Sequence, residues 1–307
     1  MTETAEEAPE HNGPPWIRPE RQQHIEWRDD DIVISVPVKS GTTWTMNIVY
    51  QLLVGGNAGF DDVYAEVPWI EFVSRPDQPV EELLDLLASM PASRPRAFKT
   101  HSAPPDIPFF KAGTGKRVRY IVVFRNPEES LVSFRPFLGQ HTDAWFDLWQ
   151  MPKEEMTRDN FPDFYNEIVN PRGMQGMLFG FLAAWWPLRH ESNVLFMHYN
   201  EMKQDQRGSL QKIAGFLDIE PSPTDWPKIL EYTSFDWMKR HEEKFEAHSV
   251  PPVPILQSGA MIRKGQAGQS RAEGMTEEIA AHLREVGSTI CPIPEAVEWF
   301  YTGGPLP

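Results

Sequence analysis

An α/β fold in three layers, with a central parallel sheet flanked by helices, is predicted by three features of the sequence. Apolar runs rich in β-branched residues recur at 32–36, 117–124 and 193–199, the length of strands buried on both faces. Stretches with apolar residues at helical spacing alternate with them, at 44–54, 80–90, 176–190 and 210–217. Each strand-like run ends in a polar or charged loop, and strands alternating with helices in this way pair in parallel.

Taken in order, residues 1–15 are acidic and carry proline and glycine, with neither a basic start nor an apolar core. They read as the body of a flexible tail over 1–25 and not as a secretion signal. Residues 26–307 contain no linker-like stretch and read as one domain with a sizeable core.

The run at 32–36 leads through Pro37 and Val38 into Lys39, Ser40, Gly41, Thr42, Thr43 and Trp44. Thr42 or Thr43 can begin a helix whose first N–H groups point into the loop. An anion suits that place: Gly41 admits close backbone approach, Lys39 adds charge, and three hydroxyls add donors. The order differs from the nucleotide-triphosphate pattern G-x-x-x-x-G-K-[ST], because the lysine precedes the glycine. Taken alone, the loop also suits an ordinary strand-to-helix turn with a solvated lysine.

A helix over 80–90 is stopped by Pro91 and Pro95, and a short strand at 96–101 follows. Lys99 and His101 leave its end on the same side, two residues apart, where ligands of parallel sheets bind. On its own, His101 reads more simply as a hydrogen-bonded loop histidine. The strongest strand, 117–124, runs into Arg125, Asn126 and Pro127. Pro127 fits a first helical turn, and Glu128 and Glu129 fit its positive end. Arg125 can therefore fork onto a phosphate or pair with one of those glutamates, and Ser133 lies two turns along the helix. The aromatic, proline-interrupted stretch 137–172 is either a lid over an apolar pocket or a cluster packed on the core.

A net charge of −15 over 307 residues argues against nucleic acid or an anionic membrane as partner. The longest apolar run, 177–188, contains Gly180 and Pro187 and is too short to cross a bilayer. Cys291 is the single cysteine, so no internal disulfide forms and a cytoplasmic location fits. No cluster has metal-ligand spacing, and none is expected to bind a metal.

Together these motifs resemble, in order, those of the cytosolic-type sulfotransferases, which move the sulfuryl group of 3′-phosphoadenosine-5′-phosphosulfate (PAPS) to an acceptor. The resemblance runs from about Asp30 to Gly274 and implies a P-loop nucleotide-binding-like sheet. It implies that Lys39 to Trp44 is the 5′-phosphosulfate loop, that Lys99 and His101 are catalytic, and that Arg125 through Ser133 forms the 3′-phosphate site. By the same resemblance Tyr199 reaches the adenine, Thr233, Phe235 and Met238 wall it, and Arg263, Lys264 and Gly265 clamp the 3′-phosphate late in the chain. The sequence departs from the family where Val38 separates Pro37 from Lys39. It departs again after Gly265, where Gln266 to Ser270 replace an acidic and aromatic pair. The family's dimer element is not recognisable near Thr276, so monomer and homodimer both stay open.

The chemistry agrees with the residues themselves. Sulfuryl transfer needs positioning and neutralisation of charge on the leaving phosphate, for which Lys39, Lys99 and Ser133 are candidates. His101 is the candidate general base, and Trp44 and Phe235 can hold a base by stacking. The aromatic segments 68–72 and 145–149 point to a small apolar acceptor with a hydroxyl, such as a phenol or a steroid-like or lipid-like alcohol. Two rivals are an ATP-using kinase-like phosphotransferase, which needs no 3′-phosphate cluster, and a non-catalytic adenine-nucleotide binder, which needs no His101.

Overall fold

In the computed structural model, residues 13–247, 251–263, 265 and 268–307 are described. Four parallel strands form one sheet in the order β2-β1-β3-β4, with β1 Ile32–Ser35, β2 Ala97–Thr100, β3 Arg119–Phe124 and β4 Val194–His198. The strands are the predicted ones, one or two residues shorter at their ends. The chain moves from β1 to β2 on one side and then back to β3 on the other. The carboxyl ends of β1 and β3 therefore flank the point where winding reverses, the usual crevice for a ligand.

Alternate strand residues feed two separate cores, as the two-residue period of a strand requires. Val33, Phe98, Tyr120, Val122 and Phe124 enter one core with helices α2 (Val80–Ser89), α3 (Pro127–Gly139) and α4 (Gly176–Trp185). Ile32, Ile34, Ala97, Ile121 and Val123 enter the other with α1 (Thr42–Val54) and α5 (Gln206–Phe216). The predicted helix at 176–190 ends at Trp185 and continues as a short 3-10 turn, because Pro187 cannot extend an α-helix. Among the described residues, no helix is long and apolar enough to cross a membrane.

At the amino ends of the strands Arg96 and Asp31 form a buried fork, with Nη2 at 2.6 Å and Nε at 2.8 Å from the two carboxylate oxygens. Arg96 also donates to the carbonyls of Leu87 and Glu26, so β1, β2 and α2 are tied at one guanidinium.

The tail predicted over 1–25 is packed in its described part. Trp16 and Ile25 are buried, Gln22 bonds Ser102 and Thr100, and Ile17 pairs with Phe72. The reason is an open edge. The segment 68–72 lies along β2, with Lys99 N–H donating to Pro68 and Ile70 N–H to Lys99, and the 16–18 backbone covers that segment in turn. Residues 1–12 lie outside the described residues.

The stretch 137–172 folds into short helical turns whose Trp145, Phe161, Phe164 and Tyr165 are fully buried in the same core as α3 and α4. It is a structural part of the core, and its inner side also lines the cavity described next.

Candidate functional site

Each of the four strands leads into a segment that carries residues of the predicted site. Beyond β1, Lys39 and Gly41 take positive φ values of 58° and 96°. Gly41 precedes α1, and no side chain caps that helix start, so its first N–H groups are available to an anion. A side chain at 41 would strike Tyr199, since a Cβ there would lie 2.7 Å from its ring. Thr42, Thr43 and Trp44 line the cavity that opens above the loop, whereas Ser40 does not. The Ser40 hydroxyl turns back to Ser130 Oγ at 3.2 Å and is fully buried, which leaves only its backbone for a ligand.

Lys39, Lys99, Arg125 and Arg263 are among the cations that border this cavity. The Lys39 ammonium stands 4.1 Å above the Phe137 ring. Burial, helped by Arg125 and Arg263, pushes its pKa down to about 7. Lys99 from β2 is 3% exposed, with its ammonium 3.2 Å from the Trp69 ring centre. Burial lowers its pKa, Glu71 works against that, and Lys39 adds to it. Arg125 follows β3, donates to the Lys39 carbonyl at 3.2 Å and lies over the Tyr199 ring. It also pairs with Glu129 at 2.7 Å, the ion pair the sequence allowed, while still lining the cavity. Arg263 reaches the cavity paired with Glu273 at 2.7 Å. Lys264 lies outside the described residues.

His101 follows β2 and faces the cavity. Its Nδ1 is 2.6 Å from the Val36 carbonyl, and only an N–H can donate to a carbonyl, so the proton sits on Nδ1 and Nε2 carries the lone pair. Burial, then the charge on Lys99, hold the imidazole well below the usual histidine range. It is a neutral imidazole whose acceptor nitrogen is fixed by the Val36 carbonyl beyond β1.

Glu71 was not singled out by sequence reasoning. It is fully buried, lines the cavity and accepts the His101 N–H through Oε1. Burial raises its pKa, with the contact to His101 and the charge on Lys99 acting in the opposite sense. The signal was available as one carboxylate inside the apolar run Trp69-Ile70-Glu71-Phe72, since a buried charge needs a partner.

The opposite end of the cavity is aromatic and cationic. Trp44 meets Tyr199 edge to face at 5.8 Å, and Phe235, Met238 and Gly265 complete the wall. Lys203, also missed in the sequence, reaches toward both Trp44 and Phe235. Thr233 does not line the cavity: its hydroxyl is spent on Ile229, and its carbonyl holds the Trp44 indole N–H at 2.8 Å. Ser133 is half-buried on α3 and lines the cavity.

Apart from Ser40, Thr233 and Lys264, these groups border one cavity of about 1050 Å³. Much of its remaining wall is apolar, with Trp16, Phe72, Phe137, Met151, Met177 and Phe181, and Asp106, Glu155, Arg172 and Glu246 also border it. Trp69 and Phe72 are on the surface of that wall as expected, but Trp145 and Trp149 stand behind it. Among the described residues, no three His, Cys, Asp or Glu side chains group as a metal site.

A family model described as the sulfotransferase domain matches residues 29–289. Sulfotransferase 1E1 of Mus musculus is 30% identical over 269 residues, covering 84% of this chain and 83% of that protein. Sulfotransferase 2A1 of Homo sapiens is 28% identical, covering 78% and 77%. Among solved structures, mouse sulfotransferase SULT7A1 complexed with PAP superposes with a TM-score of 0.66 at 21% identity, over 92% of this chain and 90% of that one. Retinol dehydratase in complex with androsterone and inactive cofactor PAP gives a TM-score of 0.66 at 22% identity, over 87% and 82%. These two likenesses extend the sheet order and its flanking helices to a common fold.

Proposed function

The chain belongs to the sulfotransferase domain family and is a sulfotransferase, and from that premise we propose that it uses PAPS to sulfate the hydroxyl of a small apolar acceptor, with His101 as general base. The observation that carries this reading is the meeting of a neutral, lone-pair-bearing His101 with Lys39, Lys99, Arg125 and Arg263 at one cavity. The cradle also fits the donor: an uncapped helix start beside a glycine that no side chain could replace suits a 5′-phosphosulfate, and the Trp44–Phe235 end suits an adenine.

When bound, PAPS supplies the sulfuryl group and a phosphate that leaves. His101 Nε2 takes the proton of the acceptor hydroxyl as its oxygen bonds to sulfur. Lys39 and Lys99 stand where negative charge grows, and an anion beside them restores the protons that burial discourages. Arg125, Ser133, Arg263 and Lys264 are the residues for the 3′-phosphate. Glu71 orients His101 through its backbone N–H and acts as a positioning residue. The apolar wall supports an acceptor with little charge, and a cytoplasmic site of action accords with the lone cysteine.

The test is turnover of PAPS with phenols and aliphatic alcohols by wild type and His101→Ala. The variant should lose about 10²–10⁴-fold in turnover on an aliphatic alcohol while its affinity for the desulfated nucleotide stays close to wild type. Near-normal turnover by the variant removes His101 from the role of base. Protection against heat by ATP with magnesium but not by PAPS would favour the kinase reading instead. Because the imidazole is held below its usual range, activity should persist at a pH lower than an ordinary histidine would permit.

A further inference from the structure

A second histidine borders the same cavity and has no part in the chemistry above. His141, just beyond α3, is 3% exposed and lines the apolar wall. We propose that His141 is a second anchor for the acceptor, so that the enzyme prefers flat apolar molecules carrying a hydroxyl at each end. The proposal rests on the sulfotransferase reading for what occupies the cavity.

The ring is held in one orientation. Its Nδ1 lies 3.1 Å from the Phe137 carbonyl and 3.2 Å from that of Leu138, so Nδ1 carries the proton and Nε2 is a bare acceptor. Trp16 stacks on one side at 5.9 Å, and Phe137 meets the ring edge-on at 5.0 Å. No described group bonds Nε2, yet Nε2 is not among the side-chain atoms both shut off and unpaired. The residue borders the cavity, and Nε2 is the ring nitrogen left to meet a ligand there. Burial and the nearby charge of Lys39 keep the imidazole neutral, with a pKa of about 4. A neutral acceptor on an apolar wall asks for one complementary group, a hydroxyl or N–H donor.

The two histidines are joined by a continuous series of ring contacts. His101 meets Trp69 at 5.1 Å, Trp69 stacks on Phe72 at 4.9 Å, and Phe72 stacks on Trp145 at 5.9 Å. Trp145 meets Trp16 at 5.5 Å, and Trp16 stacks on His141. Trp69, Phe72 and Trp16 are the members of this series that face the cavity, with Trp145 bracing them from behind, and a flat apolar body lying along them presents one end to His101 for reaction and the other to His141 for recognition. A histidine placed only to fill the core would need no accessible Nε2, and phenylalanine would fill the space without the cost of burying an imidazole.

The experiment compares matched acceptors, para-phenylphenol against para,para′-biphenol and naphthol against naphthalenediol, with PAPS as donor. Per reacting hydroxyl, wild type should favour the diol about 3- to 10-fold in kcat/KM, expressed mainly in KM, which is the range of one neutral hydrogen bond. His141→Phe should bring the ratio to about one, and His141→Gln, whose amide oxygen reaches toward the same place, should recover part of it. A ratio of one in wild type, or the same ratio in wild type and His141→Phe, overturns the proposal. If His141→Phe gives no cooperative melting curve, the wild-type ratio and His141→Gln decide. If no acceptor is turned over with PAPS, the donor reading has failed, and the His141 proposal is then judged by tryptophan-fluorescence titration of the same pairs, where equal affinity of mono-ol and diol overturns it.

Discussion

Binding of the nucleotide should consume protons, and Lys39 is one place where the uptake should appear. In the free protein burial and two neighbouring guanidinium groups hold this lysine at about 7. At pH 8 roughly one molecule in eleven then carries the ammonium. An anion docks against the protonated form, so binding at pH 8 takes up about 0.9 proton at this site and costs about 1.4 kcal/mol relative to a permanently charged group. The sign follows from the direction of the shift: a pKa lowered in the free protein rises on binding an anion, so affinity is full below about pH 7 and falls about tenfold per pH unit above it. Lys99 is displaced the same way and steepens the fall. The assay is calorimetric titration with the desulfated nucleotide in two buffers of different ionisation enthalpy, where the difference in heat counts protons. Lys39→Arg, whose guanidinium stays charged at any working pH, should remove about one proton of uptake and flatten the affinity profile correspondingly. Uptake at pH 8 that is negligible in wild type, or unchanged in Lys39→Arg, would refute the reasoning.

Two further outcomes are expected. Arg125→Ala should weaken the desulfated nucleotide by about 1.5–3 kcal/mol while barely affecting plain AMP, because the lost contact is to the 3′-phosphate; equal weakening of both ligands in calorimetry would take Arg125 out of that role. Asp31→Ala should cost about 3–5 kcal/mol in urea unfolding by leaving the Arg96 guanidinium buried without its carboxylate, and a loss below about 1 kcal/mol would show that the fork contributes little.

The sheet was legible because its strands are buried on both faces, so hydrophobicity alone marks them, and because each ends in residues that disfavour continuing the strand. Lys39 to Trp44 and Arg125 to Ser133 were legible for a related reason: motif and structure there are local, set by a strand end and a helix start a few residues apart. Three features were not. Glu71 joins the site only because segment 68–72 pairs along the edge of β2, and no local pattern announces that pairing. The packed stretch 13–25 was hidden by the acidic, proline-bearing composition around it, although Trp16 and Ile17 are apolar enough to seek a core. The directions of Ser40 and Thr233 depend on local geometry that a motif does not carry, so a motif can reach the right segment and still misplace the hydroxyl.

The arginines of the site have carboxylate partners of their own, Arg125 in Glu129 and Arg263 in Glu273. For an incoming phosphate, association is then an exchange of counter-ions inside a protein of net charge −15, and the quantity that matters is how much better the newcomer holds the guanidinium than the residue it displaces. A dianionic phosphate with three oxygens can win that exchange, while a singly charged carboxylate only matches what it replaces. If these arginines hold a phosphate as proposed, singly charged carboxylates are disfavoured by charge alone, before shape is tested.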